Sequence, residues 1–121
     1  ACAGDGCFMM TAQEFATAVQ YRLPVIVVVI DNGMFGTIRM HQEQRHPGRE
    51  HATALRNPDF AAMAVAFGGH GERVEATAAF APAFERALAS RRPALLHCLL
   101  DPRALTPTAR LPAAPAAAPV S

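Results

Sequence analysis

An aspartate flanked by glycines, Gly4-Asp5-Gly6, and an acid–amide pair, Asp31-Asn32, are the parts of this sequence best suited to chemistry. A carboxylate and an amide oxygen are hard donors, the ligand type that Mg²⁺ or Ca²⁺ prefers. Gly4 and Gly6 allow a tight turn and remove side chains that would keep a phosphate away from main-chain N–H groups. A helix starting after Gly6 would aim its unpaired N–H donors at the same anion. Together these residues suit a bound metal diphosphate.

Such a site forms only if the elements between Asp5 and Asn32 bring them together. Residues 1–3 read as the end of a strand. Apolar side chains at Met9, Ala12, Ala16, Val19 and Leu23 recur at helical spacing, which predicts one helix over residues 8–21. Pro24 closes the connection. Val25-Ile26-Val27-Val28-Val29-Ile30 is β-branched throughout without alternation, as expected of a parallel strand covered on both faces. If the two strands are parallel neighbours, Asp5 and Asn32 emerge at the same sheet edge.

The rest of the chain alternates in the same way. A shorter helix is predicted over residues 34–43, then a polar stretch broken by Pro47-Gly48. Asn57-Pro58-Asp59 reads as N-cap, first-turn proline and first-turn acid. The helix it opens has an apolar face of Phe60, Met63, Ala64 and Phe67 and stops at Gly68-Gly69. A strand over residues 70–75 follows, then a helix over 79–90 with Phe80, Phe84, Ala87 and Leu88 on one face and Pro82 in its first turn. A last strand covers residues 94–100. This order predicts an α/β fold, a parallel sheet with helices on both faces and right-handed crossovers. Residues 109–121 are Ala/Pro-rich, lack periodicity and read as a tail.

The segment GDGCFMMTAQEFATAVQYRLPVIVVVIDNGMFGTI resembles the diphosphate-binding domain of thiamine diphosphate-dependent enzymes, in particular acetolactate synthase-like and benzoylformate decarboxylase-like members. The resemblance spans residues 1–108 and implies a thiamine diphosphate-binding fold that is incomplete at its N-terminus. It implies thiamine diphosphate and Mg²⁺ as cofactors, with Asp5, Asn32 and the backbone carbonyl of Met34 as metal ligands. Gly4, Gly6, Cys7 and Phe8 would lie along the diphosphate, where main-chain N–H groups of Gly6, Cys7 and Phe8 approach it. Phe35, Gly36 and Thr37 would complete the cofactor site, with Thr37 and Ile38 facing the thiazolium ring and substrate. Two positions depart from the family pattern: Asp31 replaces the first Asn of an Asn-Asn pair, adding charge beside the metal, and Phe35 replaces a Tyr.

By that resemblance the full-length protein decarboxylates or carboligates small 2-oxo acids as a homo-oligomer, dimer or tetramer. The activating glutamate is expected on a pyrimidine-binding domain of the same or a second subunit. None of Glu14, Glu43, Glu50, Glu72, Glu75 or Glu85 matches that motif, so no catalytic residue is expected in this chain and the isolated chain is expected to be inactive. The alternatives are a non-catalytic Mg²⁺-diphosphate module that needs a partner subunit, or a generic nucleotide-binding domain in which the GDG segment is only a turn.

Composition narrows the field further. The 121 residues are 51% hydrophobic, enough for one domain with a real core and too many for wholesale disorder. A net charge of +1 gives no general attraction to nucleic acid. Val25 to Ile30 is too short to span a bilayer, and no basic segment leads into an apolar one at the start. Cys2, Cys7 and Cys98 form no metal-type cluster, and the expected compartment is the cytoplasm. Cys7 reads as a small filler rather than a nucleophile. Because Ala1-Cys2-Ala3 abuts the GDG turn directly, the chain reads as a fragment. Arg39, Arg45, Arg49 and Arg56, with His41, His46 and His51, suggest either a zinc site or an anion patch, but histidines five apart share no helical face and a solvated loop is expected.

Overall fold

The computed structural model describes residues 1–104 and 110–111. It contains β1 (Cys2–Gly4), α1 (Asp5–Met9), α2 (Glu14–Gln20), β2 (Ile26–Asp31), α3 (Gly36–Arg45), α4 (Phe60–Ala66), β3 (His70–Val74), α5 (Thr77–Ser90) and β4 (Ala94–Leu99). The strands form one sheet in the order β1-β2-β4-β3, with every pairing parallel. Helices cover both faces. Phe15, Val29, Phe60, Ala64 and Leu95 form the core between the sheet and α2 and α4, while Val74, Ala83, Ala87, Ala94 and Leu96 pack α5 onto the other side.

Several local expectations are corrected. The helix predicted over residues 8–21 is two short helices, and α1 already begins at Asp5. Bonds of i→i−3 type, Met10 N–H to the Cys7 carbonyl (3.3 Å) and Thr11 N–H to that of Phe8 (3.1 Å), tighten the chain between them. This turn exposes Met9 and Met10; of the predicted stripe Ala12 is buried and Val19 packs against the core, whereas Phe15 and Ala18, outside that stripe, are the buried residues of α2. Cover on both faces belongs to β4 more than to β2, where only Val29 and Asp31 are fully buried. In α5 the small Ala83 and Ala87 face the sheet, whereas Phe80 and Leu88 remain exposed. That helix starts at Thr77, so Pro82 lies beyond its first turn and removes an N–H from the helical ladder.

The N-cap of α4 is also displaced from its expected position. Asp59, not Asn57, caps the helix, its carboxylate accepting from Ala62 N–H at 3.0 Å. Asn57 is therefore free for another role. The predicted solvated loop is partly tied down: Phe35 N–H donates to the Thr53 carbonyl and Leu55 N–H to the Gly33 carbonyl, both at 2.8 Å. Its tip is held by Gln42, whose amide exchanges two bonds with the backbone of His51. Of the predicted 109–121 tail, Arg110 and Leu111 return onto the chain, Leu111 N–H donating to the Arg103 carbonyl at 2.8 Å. The rest of the tail lies outside the described residues. Among the described residues no helix is long and apolar enough to cross a membrane.

Candidate diphosphate and metal site

In the β1–β2 register Gly4 stands opposite Ile30, so Asp5 and the Asp31-Asn32 pair leave the sheet at the same edge. There a cavity of about 480 Å³ opens at the carboxyl ends of the strands, the usual ligand position in open α/β sheets. Gly4, Asp5, Gly6 and Cys7 line one side of it. Asn32 and Met34 line it from the loop after β2, and Phe35, Gly36, Thr37 and Ile38 from the start of α3. Phe8 alone among the predicted site residues does not line it. Its ring packs edge-on against Phe60, with centroids 5.4 Å apart.

The glycines act through space more than through backbone conformation. Gly4 is extended (φ −73°, ψ 158°) and Gly6 is helical, so neither needs the left-handed region expected for a tight turn. A Cβ on Gly6 would lie 2.5 Å from the Phe35 ring, whereas one on Gly4 would meet nothing within 4 Å. The left-handed glycine is Gly33 (φ 68°), which turns the chain between β2 and Met34. A Cβ on Gly36 would come within 2.8 Å of Asn32 Nδ2, so that glycine leaves room for the Asn32 amide.

Asp5 is 3% exposed, yet no Lys, Arg or His among the described residues pairs with it. Its charge is held by donors alone: Gly6 N–H to Oδ1 (2.9 Å), and Gly33 N–H (3.0 Å) and Asn57 Nδ2 (2.7 Å) to Oδ2. Asn32 Oδ1 accepts only a long bond from Met34 N–H, 3.3 Å. A buried carboxylate, a lightly held amide oxygen and the nearby Met34 carbonyl form an all-oxygen donor set that fits a hard divalent cation. Cys7 is exposed on the cavity wall. The loop histidines form no metal cluster: none of three or more His, Cys, Asp or Glu side chains exists among the described residues.

Asp31 lies beside Asp5, with which it shares the Gly33 and Asn57 donors. It does not line the cavity but turns into the protein, where His97 Nε2 lies 2.8 Å from its Oδ2. Gly33 N–H and Asn57 Nδ2 donate to its Oδ1, each at 2.8 Å. Burial pushes the Asp31 carboxyl up, but the bonds from His97, Asn57 and Gly33 outweigh this and hold it below the ordinary carboxylate value. Asp59 is likewise lowered, first by the Ala62 N–H it caps and then by His97 nearby. A carboxyl with a depressed folded-state pKa stabilises the fold above its unfolded value and loses that contribution as pH falls through the folded one. The urea midpoint is therefore expected to hold from pH 7 to about 5 and to fall below about pH 4. Asp31→Asn should flatten that fall, and an unchanged slope would show that Asp31 is not the group responsible.

Neither Asn57, which the sequence presents as a helix cap, nor His97, which it presents as part of a strand, is marked as a site residue by the sequence. A signal existed for His97: one imidazole amid the apolar residues of β4 needs a polar partner.

The sequence model of the family described as "Thiamine pyrophosphate enzyme, C-terminal TPP binding domain" matches residues 1–98. The chain is 38% identical over 99 residues to the acetolactate synthase isozyme 2 large subunit of Escherichia coli, covering 81% of this chain and 18% of that protein. It is 37% identical over 89 residues to the acetolactate synthase large subunit of Corynebacterium glutamicum, covering 69% and 14%. Among solved structures, benzoylformate decarboxylase from Polynucleobacter necessarius superposes with a TM-score of 0.75 at 25% identity, covering 84% of this chain and 19% of that one. A thiamine diphosphate-dependent 4-hydroxybenzoylformate decarboxylase of Rhodococcus jostii RHA1 gives 0.73 at 27%, with 84% and 20% coverage. The chain thus spans about a fifth or less of the length of these proteins.

Proposed function

The chain belongs to the thiamine pyrophosphate enzymes, as their C-terminal TPP-binding domain, and from that premise we propose that it anchors the Mg²⁺-diphosphate end of thiamine diphosphate in an enzyme acting on 2-oxo acids. The observation that carries this reading is Asp5, a buried carboxylate on the wall of an open cavity that has no cationic partner among the described residues. Asp5, Asn32 and the Met34 carbonyl would hold the cation, whose remaining positions fall to diphosphate oxygens and water. Gly4 leaves the space beside them free of a side chain. Since the Gly6 N–H already serves Asp5 Oδ1, Cys7 N–H is the better placed donor for the diphosphate. Thr37 and Ile38 would shape the wall toward the reacting end.

When bound, the cofactor supplies a carbanion equivalent and an electron sink for 2-oxo acid chemistry. This chain's contribution is position: it fixes one end of a long cofactor so that the other is held at a defined place. Among the described residues, Asp5 and Cys7 are the only ordinarily titratable side chains on the cavity wall, and neither is a glutamate. The group that activates the cofactor would come from a pyrimidine-binding domain, in this polypeptide or a partner subunit of a cytoplasmic homo-oligomer.

Isothermal titration tests the reading. Thiamine diphosphate is expected to bind the chain with Mg²⁺ present and to be released by EDTA, and the isolated chain should liberate no CO₂ from pyruvate. Metal-independent binding would remove the proposed role of Asp5. Turnover by the isolated chain would overturn the requirement for a second domain.

A further inference from the structure

Two of the acids described above, Asp5 and Asp31, present one oxygen each to a shared pair of donors. Asn57 Nδ2 lies 2.7 Å from Asp5 Oδ2 and 2.8 Å from Asp31 Oδ1, and Gly33 N–H reaches the same two oxygens at 3.0 and 2.8 Å. Asn57 does not line the cavity, so it acts on Asp5 from behind. Asp31 is fixed in turn by His97, which is 2% exposed, packs its ring edge-on to Phe60 and lies 3.6 Å through Nδ1 from Asp59. The chain Asp5–Asn57–Asp31–His97 therefore ties the cavity wall to α4 and to the centre of the sheet.

The consequence is geometric. Each carboxylate oxygen has about two lone-pair directions. Both of those on Asp5 Oδ2 are taken, by Gly33 N–H and by Asn57, whereas Oδ1 has one donor, Gly6 N–H. A cation approaching Asp5 would find a free lone pair on Oδ1 alone, so ligation would be monodentate. That suits Mg²⁺, which takes six ligands in a near-ideal octahedron, better than Ca²⁺, which accepts seven or eight and readily takes both oxygens of one carboxylate.

Resting on the reading that Asp5 is a cation ligand, we propose that Asn57 is a positioning residue that blocks Asp5 Oδ2, makes its ligation monodentate and so biases the site toward Mg²⁺ over Ca²⁺. Asp31 and His97 hold Asn57 in place for that task. Asn57→Ala frees Oδ2, and the bias weakens.

The test uses the whole chain, titrated with thiamine diphosphate and either Mg²⁺ or Ca²⁺, beside thermal melts without ligand. Asn57→Ala is expected to lower the apparent Mg²⁺ affinity roughly 10- to 100-fold, the range for partners that orient a metal ligand. Ca²⁺ affinity should fall less, moving the Mg²⁺/Ca²⁺ ratio at least about 5-fold toward Ca²⁺. Asn57→Ser, which keeps a single donor, should give an intermediate ratio and serves if the alanine variant does not fold. A purely structural role would lower both affinities together, so equal losses, or an unchanged ratio, would overturn the inference. If Asp5→Asn abolishes binding while Asn57→Ala matches the wild type for both metals, this inference alone fails. If the wild-type chain shows no metal-dependent binding of the cofactor, the proposed function fails and this inference goes with it.

Discussion

Asp5→Asn is expected to weaken Mg²⁺-dependent binding of thiamine diphosphate by about 100-fold or more, the loss of roughly 3 kcal/mol that follows when the one anionic side chain among the proposed ligands becomes neutral. The substitution preserves size and one acceptor oxygen while it removes the charge. It also unsettles the donors around it. Gly6 N–H, Gly33 N–H and Asn57 all point hydrogens at Asp5, and an amide NH₂ must face one set of them. The fold itself should survive, because the core clusters around Phe15, Phe60 and Leu95 and around Ala83 and Leu96 lie below the site. Far-UV circular dichroism unchanged beside lost binding is the expected pair of results. Affinity within threefold of the wild type would show that Asp5 is a turn residue and not the metal ligand of this site. Asn32→Ala removes a neutral ligand and should cost less than Asp5→Asn in the same titration.

The ranking of those two variants reflects how the site divides between what the sequence displays and what it hides. Gly4 to Cys7 and Asn32 to Ile38 are contiguous segments, each at the end of a strand with a strong apolar signal. Once the two strands are parallel neighbours, their ends must meet, and the cavity wall follows. Asn57 and His97 were hidden for a different reason. They reach Asp31 from 26 and 66 residues away, and no local periodicity encodes a contact of that span. Asn57 was further obscured by Pro58 and Asp59, since the three together make a plausible helix start, and only the structure decides which of the two acceptors caps α4. The mismatch in β2 and β4 was nevertheless visible: each apolar strand carries one polar intruder, Asp31 and His97, and two buried polar groups in adjacent strands stabilise the fold best when paired. Helix boundaries failed for local reasons. The i→i−3 bonds after α1 and the exposed Met9 and Met10 show a turn overriding a fair helical stripe.

The docking of α4 makes the strongest stability prediction, and it bears on the site because Asn57 immediately precedes that helix. Gly71 sits in β3 opposite Leu95, and a Cβ placed on it would lie 2.0 Å from the Ala61 carbonyl oxygen and 2.8 Å from its carbon. Both are backbone atoms of α4, so no side chain can rotate to relieve the overlap. The helix must retreat as a body from a sheet against which Phe60 and Ala64 are fully buried. Overpacking of this kind costs about 3 kcal/mol, which for a domain of this size lowers the melting temperature by roughly 15 °C. Gly71→Ala is therefore expected to melt far below the wild type. Gly4→Ala, whose methyl would meet nothing within 4 Å at an ordinary φ, should leave the melting temperature nearly unchanged. A retreat of α4 also pulls on Pro58 and Asn57, so whatever Gly71→Ala protein remains folded should show a weakened bridge between Asp5 and Asp31. The Asn57 side-chain amide signals in a ¹⁵N-correlated spectrum report that directly: protected from exchange in the wild type, exchanging faster in the variant. A melting temperature within about 3 °C of the wild type would mean that α4 yields easily. Close packing at Gly71 would then not be what holds Asn57 behind the metal site.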